Sequence, residues 1–204
     1  MASTKSIKAV RQMHSKEHVV MLLVGRTSSG KSSLIKKLCE RTGLCQLISQ
    51  TTRPRRNEQD NDHIFVSVED YLKAKENGDI VAETEIAGNY YYATRNQLYE
   101  ADIYAIDPTG REGLLSMELP NIRFVTVYIS CSDEERMIRA EKRGDDKHTY
   151  RVRDFSERQQ FRRFVADEQW DYVIRNNDFL KAYSCLRWIS QLEGCWKNKE
   201  DTTE

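Results

Sequence analysis

The chain has no excess of charge of either sign: 32 Lys and Arg stand against 32 Asp and Glu over 204 residues. That balance supplies no global field for nucleic acid or for an anionic membrane. No apolar run approaches the roughly 18 residues that a membrane span needs. There is no C-x-x-C pair, and the five cysteines (Cys39, Cys45, Cys131, Cys185, Cys195) are odd in number and widely spaced. Such spacing argues against a disulfide framework and against a zinc site, and it fits reduced thiols in a cytoplasmic protein. Internal repeats and low-complexity segments are also missing. Residues 1–17 are polar and mixed, without the apolar middle of a secretion signal. They read as a flexible arm, with a short transit peptide left open.

What is present centres on Gly25-Arg26-Thr27-Ser28-Ser29-Gly30-Lys31-Ser32, which meets the phosphate-loop pattern G-x-x-x-x-G-K-[ST] at every fixed position. An apolar run, residues 18–24, precedes it with the length of a buried strand. Ser33 and the residues after it carry apolar Leu34, Ile35 and Leu38 at the spacing of one helix face. Strand, glycine loop and helix together predict a nucleoside triphosphate site. Gly25 and Gly30 let backbone N–H groups approach phosphate oxygens, and the helix start adds partial positive charge. Lys31 then reaches the outer phosphates and the Ser32 hydroxyl reaches a magnesium ion.

Further along, residues 45–49 read as a second strand and 63–67 as another. Ser67 and Asp70 form a capping box for a helix through about Asn77, with Gly78 ending it. Residues 80–87 and 90–93 flank a Gly88-Asn89 turn, a hairpin signal. Strands are then expected at 103–107, 122–129 and 172–174, alternating with helices near 95–101, 109–117, 132–143, 150–164 and 178–192. That alternation implies a parallel sheet covered by helices. Its ligands are expected beyond the carboxyl ends of the strands, where both the glycine loop and Asp107 fall. Residues 49–94 interrupt the pattern as a small β-rich lobe between core segments 18–48 and 95–204.

Two more clusters bear on chemistry. Ser49, Arg53 and Arg56 precede the aromatic hairpin carrying Tyr91, and arginines three apart in an irregular loop can fork a phosphate monoester. A solvated basic loop is the plainer alternative. The stretch from Arg136 to Arg163 interleaves arginines and lysines with acids, among them Asp154 and Glu157. A salt-bridged helical surface explains most of those charges, while a few arginines at the Gly144 break can close over a triphosphate as a lid. Loop, fork and mobile arginines suit phosphoryl transfer, which asks for positioning and charge neutralisation rather than covalent protein chemistry.

From Val19 to the last helix the chain resembles the guanylate kinase family. The resemblance rests on the glycine loop, residues 49–56 (Ser-Gln-Thr-Thr-Arg-Pro-Arg-Arg), Phe65-Val66-Ser67, Gly88-Asn89-Tyr90-Tyr91, Ile106-Asp107, residues 139–144 and Asn176-Asn177-Asp178. It implies a P-loop NTPase-type α/β fold with a core, a monophosphate-binding lobe at 49–94 and a lid at about 139–163. It also implies transfer of the γ-phosphoryl of ATP to GMP or dGMP with Mg2+, by a monomer or homodimer that binds no nucleic acid and no membrane. By position it assigns Ser49, Arg53, Arg56 and Tyr91 to the acceptor and Asp107 to its neighbourhood. Lys31, with residues 25–33, falls to the donor and Ser32 to the metal. Arg139 and Arg143 match lid arginines, with Arg153 the third and Arg151 its rival, and Asn176 falls near the adenine.

The chain departs from the family pattern in several places. Ser28 replaces a loop glycine, His63 stands for a second phosphate-binding tyrosine, and Ala105 stands for an aspartate. At the base pocket the guanine-reading glutamate falls on Ala82 and its hydroxyl partner on Ala93. Glu83 serves there only through a strand bulge, because a shift of one reverses side-chain direction. Two other readings therefore stand beside GMP kinase: a (deoxy)nucleoside monophosphate kinase of another base specificity, and a non-catalytic phosphopeptide-binding module.

Overall fold

The computed structural model describes residues 17–55, 58, 60–86 and 88–196 (Thr149 by its backbone alone), and β1, His18–Val24, runs through its middle. β1 pairs in parallel with β7, Ile103–Ile106, on one side and with β8, Ile122–Ser130, on the other. β2, Gln46–Leu47, and β9, Tyr172–Arg175, complete a parallel five-stranded sheet of order β2-β7-β1-β8-β9.

The period-2 geometry of β1 divides its apolar run between two cores. Val19, Met21 and Leu23 pack beneath α1, Lys31–Thr42, and α7, Phe179–Leu192, through Leu34, Leu38, Leu186 and Ile189. Val20, Leu22 and Val24 face the opposite layer, which holds Leu98 of α3, Arg95–Tyr99, Leu114 of α4, Pro108–Leu115, and Phe161 and Phe164 of α6, Lys147–Ala166. Helices on both faces of a parallel sheet are the architecture that the alternating pattern implies.

A second sheet of order β4-β3-β6-β5 is formed by β3, Gln50–Thr51, β4, Ile64–Phe65, β5, Ile80–Ile86, and β6, Asn89–Thr94. It docks on the second core through Val81, Ala82 and Ala93. Between β4 and β5 lies α2, Val68–Glu76, opened by the Ser67–Asp70 capping box. The strand expected over residues 45–49 is shorter, Gln46–Leu47, and a further strand follows it at Gln50–Thr51, where an irregular loop was expected. Leu47 is buried in the first sheet, the chain leaves it at the exposed Ile48, and pairing resumes at Gln50 in the second. Gln97 Nε2 satisfies the Ile48 carbonyl at that crossing, at 2.9 Å.

The last helices carry the closing layer. α5, Asp133–Lys142, is capped by Ser132, with three acids in its first turn where the helix dipole favours them. Gly144, at φ 79, breaks the chain between α5 and α6.

Candidate active site

The strands of the main sheet all end at one edge, and each end delivers a polar group there. β1 runs into Gly25 and the loop, β7 into Asp107, and β9 into Asn176, whose N–H bonds the Ser130 carbonyl at the end of β8 at 2.7 Å.

The loop is braced from below. Gly30 occupies the N-cap of α1 at φ 91, and a Cβ there would collide with the Asn176 carboxamide. Asn176 is fully buried and donates from Nδ2 to the Ser29 carbonyl at 2.7 Å. Asn176, which the resemblance places near the adenine, lies under the loop and supports it. Ser28 takes φ 58, the left-handed conformation for which a glycine is the easier occupant. Lys31 Nζ turns back on the Gly25 carbonyl, with the Arg26 carbonyl at 3.3 Å. Burial draws its ammonium pKa below the ordinary lysine value, and the charges of Glu157 and Asp107 oppose that shift. Ser32 is exposed on the cleft, and Ser33 is exposed too.

α5 and α6 hold the loop from above. Arg139 donates to the Ser29 carbonyl at 3.2 Å and to the Asn176 carbonyl at 2.8 Å. Arg143 reaches the Ser28 hydroxyl at 3.3 Å while ion-paired with Asp145. Arg26 bridges outward to Asp133 at 3.1 Å and to Asp154. Arg136, only 2% exposed at its side chain, ties Asp133 at 2.6 Å to Asp154 at 2.8 Å and donates to the Thr27 carbonyl. The Arg136 hydrogen bond holds the Asp133 carboxyl below its ordinary range. Burial works against the same shift at Asp154, but Arg136 and Arg26 outweigh it. Asp154 was expected on a salt-bridged helical surface, and it is ion-paired there. Periodicity could not show that the surface is capped by the loop itself.

A cleft of about 300 Å³ runs from this loop to the second sheet. It is lined by Lys31 and Ser32, by Ser49, His63 and Tyr91, and by Asp107 and Arg153. The Ser49 hydroxyl and His63 Nδ1 are 2.9 Å apart, and the His63 and Tyr91 rings meet edge-on at 5.2 Å. Tyr91 lies beside the Arg53 guanidinium, which pairs with Asp60 at 2.9 Å and faces the Phe65 ring at 5.1 Å. Burial lowers the Arg53 pKa, but the hydrogen bonds and charges of Asp60 and Tyr91 together outweigh it, leaving a net rise that keeps the charge fixed. Arg56 lies outside the described residues. Arg153 opens on this cleft, whereas Arg151 lines a separate cavity of about 410 Å³ between α5 and α6.

Asp107 caps α4, accepting from the Gly110 N–H at 3.0 Å and from the Thr84 hydroxyl at 2.8 Å. Ala82 and Ala93 pair across the hairpin and are buried. The register is irregular between Ile80 and Ala82, yet Glu83 pairs regularly with Tyr92. Its carboxylate is taken by the Tyr71 hydroxyl at 2.6 Å and by Lys75 at 3.0 Å. Ala82 and Glu83 line the cleft as well, beside Thr84, Tyr104 and, from α6, Ser156, Glu157, Gln160 and Phe161. Sequence reasoning did not assign these last six to the site. The spacing 153, 156, 157, 160, 161 is one helical face and could have flagged the last four together.

The family model for guanylate kinase matches residues 15–191. A guanylate kinase of Myxococcus xanthus is 26% identical over 195 residues, covering 91% of this chain and 92% of the relative. One of Chlamydia felis is 32% identical over 171 residues, covering 79% and 81%. The crystal structure of guanylate kinase from Anaplasma phagocytophilum superposes with a TM-score of 0.63 at 24% identity, covering 89% of this chain and 90% of that one. With nearly its whole length matched, and with the glycine loop and the second sheet opening on one cleft, the chain belongs to the guanylate kinase family.

Proposed function

We propose that the chain is an ATP-dependent guanylate kinase, moving the γ-phosphoryl of ATP onto the phosphate of GMP or dGMP. The observation that carries this is the shared cleft, with Lys31 and Ser32 at one end and Ser49, His63 and Tyr91 at the other. A phosphopeptide-binding module would have no use for an intact donor loop, so the enzyme reading is favoured.

In this reading the loop N–H groups and Lys31 hold the donor phosphates. Arg139, Arg143 and Arg153 gather over the phosphoryl group in flight, where their charges are set before reaction. Ser49, Tyr91 and Arg53 fix the acceptor phosphate, with His63 as hydrogen-bond partner of Ser49. Asp107, held rigid as a helix cap, borders the acceptor. The second sheet acts as the monophosphate lobe, and α5 with α6 acts as the lid. Closure excludes the water that would otherwise hydrolyse the donor.

Among the described residues no group of three or more His, Cys, Asp or Glu could hold a metal by itself. The exposed Ser32 hydroxyl beside the loop fits Mg2+ carried in on the nucleotide, since that ion is bound mainly by phosphates and water with few protein ligands. When bound, it neutralises phosphate charge. No helix among the described residues is long and apolar enough to cross a membrane.

Ala82 offers no hydrogen bond, and Glu83, which also lines the cleft, has its Oε1 held by Tyr71 and Lys75, so Thr84, Tyr104 and Gln160 join Glu83 as the polar groups that can read the base. Coupled ADP formation with GMP, dGMP and the other nucleoside monophosphates tests the proposal. Turnover is expected with the guanine nucleotides, and no turnover with any monophosphate overturns it.

A further inference from the structure

The geometry points to Glu157 as a built-in occupant of the donor-phosphate site: its carboxylate holds the Thr27 N–H until a triphosphate displaces it. This rests on the kinase reading above.

Four observations converge on Glu157. First, the Thr27 N–H, in the middle of the phosphate loop, donates to Glu157 Oε2 at 2.6 Å. A backbone N–H of such a loop suits an anion, and the bond is of the short, charge-assisted kind. Second, Glu157 shares the cleft with Lys31 and is attracted by it, so one carboxylate reproduces two features of a bound phosphate, an acceptor oxygen and a negative charge. Third, burial pushes the Glu157 carboxyl above its ordinary value, although Thr27, Lys31, Arg136 and Arg26 all favour the charge. The position therefore suits the loop more than it suits the glutamate.

Fourth, α6 does not depend on this contact to stay docked. Asp154, three residues earlier, is tied to Arg26 and Arg136. Glu157 is thus held at high effective concentration beside the loop, yet it can leave without undoing the helix. Arg153, one turn earlier on the same face, also lines the cleft and supplies the opposite charge once a phosphate arrives. A triphosphate and this carboxylate cannot share the Thr27 N–H, because two anions at hydrogen-bond distance repel strongly. Donor binding must therefore displace Glu157, and the displacement weakens apparent donor affinity by the stability of the contact.

Calorimetric titration of ATP into wild type, Glu157→Gln and Glu157→Ala, with Mg2+ and again with EDTA, tests this directly. Loss of one charge-assisted contact is expected to tighten ATP about tenfold in Glu157→Ala and less in Glu157→Gln, whose amide oxygen still accepts the bond. Both changes should appear with and without the metal. The melting temperature without ligand should fall slightly, and the increment added by ATP should grow. A purely structural glutamate would lower the first without raising the second. Unchanged or weaker ATP binding in both variants overturns the proposal, and weakening seen only with Mg2+ would make Glu157 a support for the metal instead. If wild type itself fails to bind ATP, the kinase reading falls first, and that result is visible without any variant.

Discussion

Gly30→Ala puts the brace beneath the loop to a quantitative test. Gly30 sits at φ 91, where a side chain costs about 1–2 kcal/mol. The added Cβ also meets the Asn176 carboxamide head-on and comes within 3.1 Å of Arg139 Nη1. Asn176 is buried, so moving it breaks its bond to the Ser29 carbonyl where water cannot take over. The Ser29 carbonyl keeps Arg139, but leaving the buried Asn176 amide unpaired adds about 1–3 kcal/mol. The total is about 2–5 kcal/mol, which for a chain of this size is a fall on the order of 10 °C in melting temperature. Urea unfolding of Gly30→Ala, Asn176→Ala and the double variant separates the two contributions. Because both single changes destroy the same hydrogen bond, the double variant should lose about 1–3 kcal/mol less than their sum, the coupling expected of residues in contact. A Gly30→Ala protein within about 0.5 kcal/mol of wild type, or strict additivity in the double variant, would refute the reasoning.

Further outcomes follow from the same geometry. Ser28→Gly removes a left-handed strain of about 1–2 kcal/mol against an added backbone entropy of about 0.5–1 kcal/mol, so urea unfolding should show a net gain of no more than about 1.5 kcal/mol. Arg136→Met leaves Asp154 with less compensation in a buried position and should cost about 3 kcal/mol. Since Asp133 and Asp154 are held below the ordinary carboxylate value, their contribution is present above about pH 4 and is lost as the pH falls through their depressed values. The acid side of the wild-type melting profile should therefore be steeper than that of Arg136→Met. In coupled kinetics, Lys31→Ala should lower kcat about 10²–10³-fold, while Tyr91→Phe should raise the acceptor KM and leave the donor KM unchanged.

Much of this was legible in one dimension. A six-residue spacing of glycine and lysine, with apolar strand before and amphipathic helix after, located the loop between β1 and α1. The Ser67 and Asp70 pair marked the start of α2 to the residue. Each of these is a short-range device, settled by the geometry of a few consecutive residues. Residues 45–49 were harder, because a run of apolar pattern does not record that the chain changes sheets within it. Glu83 shows the same limit at a single site. Its side of β5 is set by pairing with Tyr92, and only the fold places Tyr71 and Lys75 there to receive it.

By itself the sequence determined the parallel sheet, the loop at its edge and the family, since local turn chemistry and hydrophobic period are written into neighbouring residues. The tertiary structure alone decided what meets the loop. Glu157 lies 130 residues from Thr27, and Asn176 lies 147 residues from Ser29. Periodicity tells which face of a helix is covered, but not which surface covers it, and that is settled only when the whole core packs.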